Sequence, residues 1–167
     1  YYSMYRGLDC GAPWMADWAA DESCPATLRA KQLKQNIDRM SPTLINEARA
    51  AYFGLITQID YNLGRVMAAL QDKGTFRAYD TNDNTLIAYT SDHGDYIGDH
   101  NLVAKGEFLE GSAHVPMVLR LPRTWKNRCQ GARVDNAVTL HDLLPTFVNA
   151  AEGSVPDVVE GQDMIAL

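Results

Sequence analysis

An α/β fold is predicted for this chain, and three features of the sequence predict it. Between Ser41 and Gly74, apolar residues recur at steps of three and four, the spacing of one long helix. Two short apolar, β-branched runs, Thr85 to Thr90 and Pro116 to Pro122, lack helical spacing and read as strands. The loop between them gathers Asp, His and Lys side chains among glycines, which places the chemistry beyond a strand end.

Composition bounds the possibilities. At 167 residues the chain can form one domain with a sizeable core, and 46% hydrophobic with 22% charged residues is ordinary for a folded globular domain. Fifteen Lys and Arg against 21 Asp and Glu give a net charge of −6, and no Lys/Arg-rich run interrupts the sequence, so no nucleic acid partner is expected. Positive charge that holds an anion must therefore be local. No apolar run approaches the ~20 residues of a membrane span, so none is expected. The first residues, YYSMYRGLDCG, contain neither a secretory apolar region nor an initiator Met. The expectation is a chain that begins inside a longer protein, with its compartment left open. Cys10, Cys24 and Cys129 are odd in number and far apart, which argues against structural zinc and against a disulfide framework.

Taken in order, residues 1–40 read as an irregular lead-in punctuated by Gly7, Gly11, Pro13 and Pro25, with Tyr and Trp residues that pack against something larger. The long helix is predicted over 42–73. Ser41 caps it, Pro42 suits its first turn, and Leu44, Ala48, Tyr52, Leu55, Ile59, Leu63, Val66 and Leu70 form its apolar stripe. At 1.5 Å per residue it spans roughly 45 Å and becomes the main helix against the sheet. Asp80 to Asn84 imitates the start of a calcium loop, but Thr85 stands where Gly is needed and Ser91 where Glu is needed, so it reads as a turn. The strand from Thr85 to Thr90 is predicted to be buried on both faces. Region 85–122 thus contributes the strands and the site loop. Residues 127–135 are polar and predicted exposed, and 135–167 form a terminal helix and tail, with Asp142 at the helix start and Pro145 in its first turn.

Within the loop, Asp92, His93, Asp95, Asp99 and His100 fall inside nine residues, and Gly94 lets the backbone turn away behind the first pair. Lys105 follows in a segment whose glycines, Gly98, Gly106 and Gly111, predict a loop folded back over the strand end. A carboxylate, an imidazole and an ammonium brought together suit an anionic substrate bound to a cation.

The ordered set Ser91-Asp92-His93-Gly94-Asp95, Gly98-Asp99-His100, Lys105 and Glu110-Gly111-Ser112-Ala113-His114-Val115-Pro116 resembles the sulfatase family of the alkaline phosphatase superfamily. Asp60 to Gly64, Asp142-Leu143-Leu144-Pro145-Thr146 and Glu160 to Met164 are similar to further segments of that family. The resemblance implies an alkaline phosphatase-like sandwich of helices around a mixed sheet, of which this chain is the second half of the catalytic domain. It implies metal ligands at Asp92 and His93, a catalytic and substrate-binding Lys105, and Asp99, His100 and His114 lining the substrate pocket. It implies a divalent cation, Ca²⁺ first with Mg²⁺ or Mn²⁺ open, and a formylglycine nucleophile in the N-terminal half outside these residues. Cys24-Pro25 does not match the family's C/S-x-P-x-R motif, because Arg29 lies five residues on, and Cys24 reads as a loop cysteine.

The function implied is sulfate ester hydrolysis on a sulfated small molecule or saccharide. Two alternatives stay open: a phosphonate monoester or phosphodiester hydrolase of the same superfamily, since many sulfatases have Asn at the position of His93, and a non-catalytic cation-binding remnant. The 167 residues alone are expected to be inactive and to self-associate.

Overall fold

The computed structural model describes residues 1–71, 84–125 and 131–166. The chain is α/β as predicted, with helices α1 (Ala26–Gln35), α2 (Pro42–Gln71), α3 (Glu110–Ala113) and α4 (Leu143–Ala150) around strands β1 (Ile87–Thr90) and β2 (Met117–Arg120). Short 3₁₀ turns sit at Tyr2–Met4, Asp17–Ala19, Ile37–Arg39, Asp99–Asn101 and Leu140–Asp142.

The lead-in departs from the irregular segment predicted, because it holds α1. This helix is largely polar and escapes a hydrophobic-period search. It ends at Asn36, whose left-handed conformation (φ 52°) is a common helix stop. Gln32 is its buried residue and donates from Nε2 to Ala19 O at 2.9 Å and His100 O at 2.7 Å.

The long helix forms as its spacing demands, with Ser41 Oγ accepting from the Leu44 N–H at 3.2 Å. Its Ala50 and Gly54 are buried, and a β-carbon at Gly54 would meet Tyr2 N at 2.9 Å, so the lead-in lies against helix backbone there. The apolar stripe is more open than a core helix requires: Leu44, Leu55, Ile59 and Val66 are all exposed. A cavity of about 380 Å³ lined by Ile56, Thr57, Asp60, Leu63 and Tyr89 separates α2 from β1. The Gly74 stop, the calcium-loop imitation over Asp80 to Asp83 and Cys129 lie outside the described residues.

The strands pair antiparallel, Ile87 opposite Arg120 and Thr90 opposite Met117. Among the described residues this pair is the whole sheet. The strand predicted as buried on both faces is therefore half-buried along its length, since one neighbour covers one edge only. Cys10 and Cys24 are buried and free. Cys24 lies in the bend before α1, as a loop cysteine, and donates from Sγ to Gln32 Oε1 at 3.6 Å, so its thiol is packed. No helix among the described residues is long and apolar enough to cross a membrane.

The C-terminal segment is tied by Asp142. Its carboxylate accepts from Thr139 N at 2.6 Å and Gln162 N at 2.7 Å, while its carbonyl accepts from Thr146 Oγ1 at 2.6 Å. Thr146 Oγ1 in turn accepts from Met164 N at 2.9 Å. Pro145 falls in the first turn of α4, where its missing N–H costs nothing.

Candidate active site

Strand β1 ends at Thr90, and Asp92 and His93, expected as metal ligands, follow in the turn beyond it. Ser91 Oγ donates to His93 O at 2.7 Å, and His93 N donates to Asp92 Oδ1 at 2.9 Å, so the turn is held by its own side chains. A β-carbon at Gly94 would lie 2.2 Å from Gly111 O, and Gly94 N donates to Ser112 O at 2.8 Å. Only glycine allows the turn to press this closely on α3.

The geometry of the pair is informative. His93 Nδ1 stands 3.0 Å from Gly94 O, a carbonyl that can only accept, so the ring proton belongs on Nδ1. The ring's other nitrogen, Nε2, faces Asp92 Oδ2, 3.2 Å away. A proton or a metal ion between the two atoms would serve both. The His93 N–H, and next the neighbouring imidazole, hold the Asp92 carboxyl below the usual carboxylate range, so it stays an anion at neutral pH. The Asp92 side chain is 80% exposed, which leaves most of its oxygen lone pairs available. The carboxylate oxygen suits a hard divalent cation such as Ca²⁺, and the imidazole nitrogen leaves room for Mg²⁺ or Mn²⁺, in either case as part of a larger ligand set. Among the described residues no group of three or more His, Cys, Asp or Glu side chains completes that set.

Lys105 sits in the loop between this turn and α3, and its residue is exposed. Tyr96 N donates to Ala104 O at 3.0 Å and Gly98 N to Leu102 O at 2.8 Å, so the loop is laced across its width. Ile97, His100, Asn101 and Ala104 adopt positive φ (44°, 53°, 58° and 63°), which side-chain-bearing residues adopt only where the surroundings enforce it. The two parts of the site meet through Ser112, whose carbonyl accepts from Gly94 N and whose Oγ accepts from Gly106 N at 3.4 Å.

The remaining candidates lie apart in their contacts. Asp99 Oδ1 accepts from Trp14 N at 2.8 Å and pairs with Arg49 Nη1 at 3.4 Å, which fastens the lead-in and α2 to the loop. His100 is 3% exposed and lies between two indoles, stacked on Trp18 at 4.9 Å and edge-on to Trp14 at 4.6 Å. Burial lowers its pKa, with Asp99 opposing weakly, so it is a neutral packed ring. His114 is exposed and its Nδ1 lies 2.7 Å from Glu110 Oε2 one turn earlier on α3. Asp95 faces α2, where burial first and its charge second raise the Tyr52 phenol pKa.

Sequence reasoning missed the groups that grip the loop. Lys31 Nζ donates to Lys105 O and to both Glu107 carboxylate oxygens, each at 2.7 Å. Gln35 donates from Nε2 to Val103 O and accepts at Oε1 from Val103 N, both at 3.0 Å. Polar side chains at i and i+4 on a helix facing a predicted loop are the signal that could have found them.

The model of the Sulfatase family matches residues 15–154. The chain is 37% identical over 161 residues to an arylsulfatase of Clostridium perfringens, an alignment that covers 96% of this chain and 32% of that protein. It is 32% identical to a multifunctional alkaline phosphatase superfamily protein of Trinickia caryophylli, over 99% of this chain and 33% of the relative. Among solved structures, a phosphonate monoester hydrolase from Silicibacter pomeroyi superposes with a TM-score of 0.78 at 25% identity, over 96% of this chain and 32% of that one. The chain thus spans about a third of the length of the proteins it matches.

Proposed function

Because the chain belongs to the sulfatase family, whose model spans residues 15–154, we propose that it supplies part of the metal and anion site of a divalent-metal-dependent sulfate ester hydrolase. The observation that carries this reading is the Asp92–His93 pair, a carboxylate oxygen and an imidazole nitrogen 3.2 Å apart at a strand end. The family uses a divalent metal and a formylglycine nucleophile. These 167 residues contain no match to the nucleophile motif, so on this reading the nucleophile belongs to the remainder of the full-length protein.

Asp92 Oδ2 and His93 Nε2 would hold the cation, with Ca²⁺ the first choice and Mg²⁺ or Mn²⁺ open. When bound, it supplies Lewis-acid charge to a sulfate oxygen and to the nucleophile. His93 is kept in the metal-binding tautomer by the Gly94 carbonyl, which accepts the Nδ1 proton. Lys105 extends from a fixed loop, and its ammonium neutralises charge developing on the transferred group. Asp99, His100 and His114 enter the proposal as groups that shape the surrounding wall, His100 through its packing between Trp14 and Trp18. The substrate is a sulfated small molecule or saccharide.

The imidazole at position 93 and the likeness to a phosphonate monoester hydrolase favour a second reading, hydrolysis of phosphonate monoesters at the same site. Metal content of the full-length protein, wild type against Asp92→Ala, tests the ligand pair. Retention of the ion at full occupancy in the variant would sink the assignment. Comparing kcat/KM for 4-nitrophenyl sulfate and 4-nitrophenyl phenylphosphonate then ranks the two reactions, and absence of turnover on both contradicts the enzyme reading.

A further inference from the structure

We propose that Lys31 and Gln35 of α1 are positioning residues for Lys105, acting through the loop backbone on either side of it; the inference rests on the reading of Lys105 as a substrate-binding group.

The Lys105 ammonium reaches no partner among the described residues, so its position depends on its own backbone. That backbone is held at successive points. Gln35 makes both an accepting and a donating bond to Val103, replacing the partner a neighbouring strand would provide. Lys31 donates to the carbonyl of Lys105 itself and anchors Glu107, two residues beyond. Gly106 N donates to Ser112 Oγ, and the Tyr96 hydroxyl donates to Glu107 O at 3.1 Å. The Lys31 ammonium also stands 5.8 Å from the centre of the Tyr96 ring, so one cation gathers the loop's carbonyl, its carboxylate and its aromatic. Lys31 and Glu107 are each about a quarter exposed, which makes their pair stronger than a surface contact.

Such a clamp has a chemical use. A flexible lysine on an unheld loop would spend rotational freedom each time it met a developing charge, whereas a held loop removes the backbone share of that cost before substrate arrives. The second cation carries a benefit of its own: with its charge spent on Glu107, Lys31 does not compete for the anion that Lys105 is placed to meet.

A double-mutant cycle on the full-length enzyme tests the idea. Lys105→Ala is expected to lower kcat/KM on the order of 10²-fold, and Lys31→Ala about tenfold, chiefly in kcat. If Lys31 acts through Lys105, the double variant is no slower than Lys105→Ala alone, because a clamp has nothing left to position. Lys31→Arg should restore most of the loss. Should Lys31→Ala fail to fold, Gln35→Ala takes its place in the same cycle with the same expectation. Losses that multiply in the double variant overturn the positioning role while leaving Lys105 in place. Normal activity of Lys105→Ala overturns both the role of Lys105 and the clamp that serves it.

Discussion

Asp92 and Asp142 are both held below the usual carboxylate range by backbone N–H donors, His93 in one case and first Gln162, then Thr139, in the other. Their surroundings differ. Asp142 is 7% exposed and spends its two oxygens on Thr139 and on Gln162, far apart in the chain, while the Asp92 side chain is 80% exposed and receives one backbone donor from its neighbour. A lowered pKa alone therefore does not mark a site. What separates the proposed ligand from the rivet is the number of lone pairs left over, and Asp92 Oδ2 faces His93 Nε2.

Exchanging the two losses is the sharpest way to break this contrast. Asp92→Ala in the full-length enzyme should cost kcat/KM on the order of 10³-fold, the several kcal/mol a bound cation contributes, while the metal-free melting temperature matches that of metal-free wild type. Asp142→Ala should lower unfolding free energy by about 2–3 kcal/mol, because it orphans the Thr139 and Gln162 N–H groups, with kcat/KM of the folded enzyme unchanged. Denaturant titration and steady-state kinetics on both variants decide it; swapped outcomes would reverse the roles.

Acid sharpens the same comparison by a smaller amount. Since the folded Asp142 pKa is depressed, its contribution to stability is complete above the unfolded value of about 3.9 and is lost as pH falls from there through the folded value. Unfolding curves between pH 5 and pH 2 should show wild type losing stability more steeply than Asp142→Asn. Parallel slopes would contradict the assignment.

The smallest effect belongs to His100. Its folded pKa is lowered by burial, so the unfolded chain takes up a proton first and stability is lost as pH falls below about 6.5 toward the folded value. His100→Gln should flatten stability over that window, measured by thermal unfolding at closely spaced pH values, and an unchanged slope would show that another group titrates there.

The legible part of this chain was the local part. Apolar spacing gave the long helix, short apolar runs without helical spacing gave both strands, and Asp92-His93-Gly94 announced a sharp turn at the strand end because adjacency and a following glycine are visible in one dimension. What the spacing did not reveal was the partners of Asp99 and His100. The His100 ring, on a residue of positive φ, packs between Trp14 and Trp18, more than eighty residues earlier in the chain, and Asp99 meets Trp14 and Arg49. Helix α1 was hidden for a related reason: its working residues, Lys31, Gln32 and Gln35, bind backbone rather than bury apolar surface, and so leave no hydrophobic period to read.

That mode of binding bears on how such a site can change over generations. Apart from Glu107 and the Tyr96 ring, α1 recognises the loop by main-chain atoms, the carbonyls of His100, Val103 and Lys105 and the N–H of Val103. Main-chain atoms are the same whatever residue occupies a position. Selection can therefore rewrite the exposed side chains there, Ala104 and Phe108 among them, without losing the shape that presents the lysine, and a lineage can vary this surface while inheriting the frame intact.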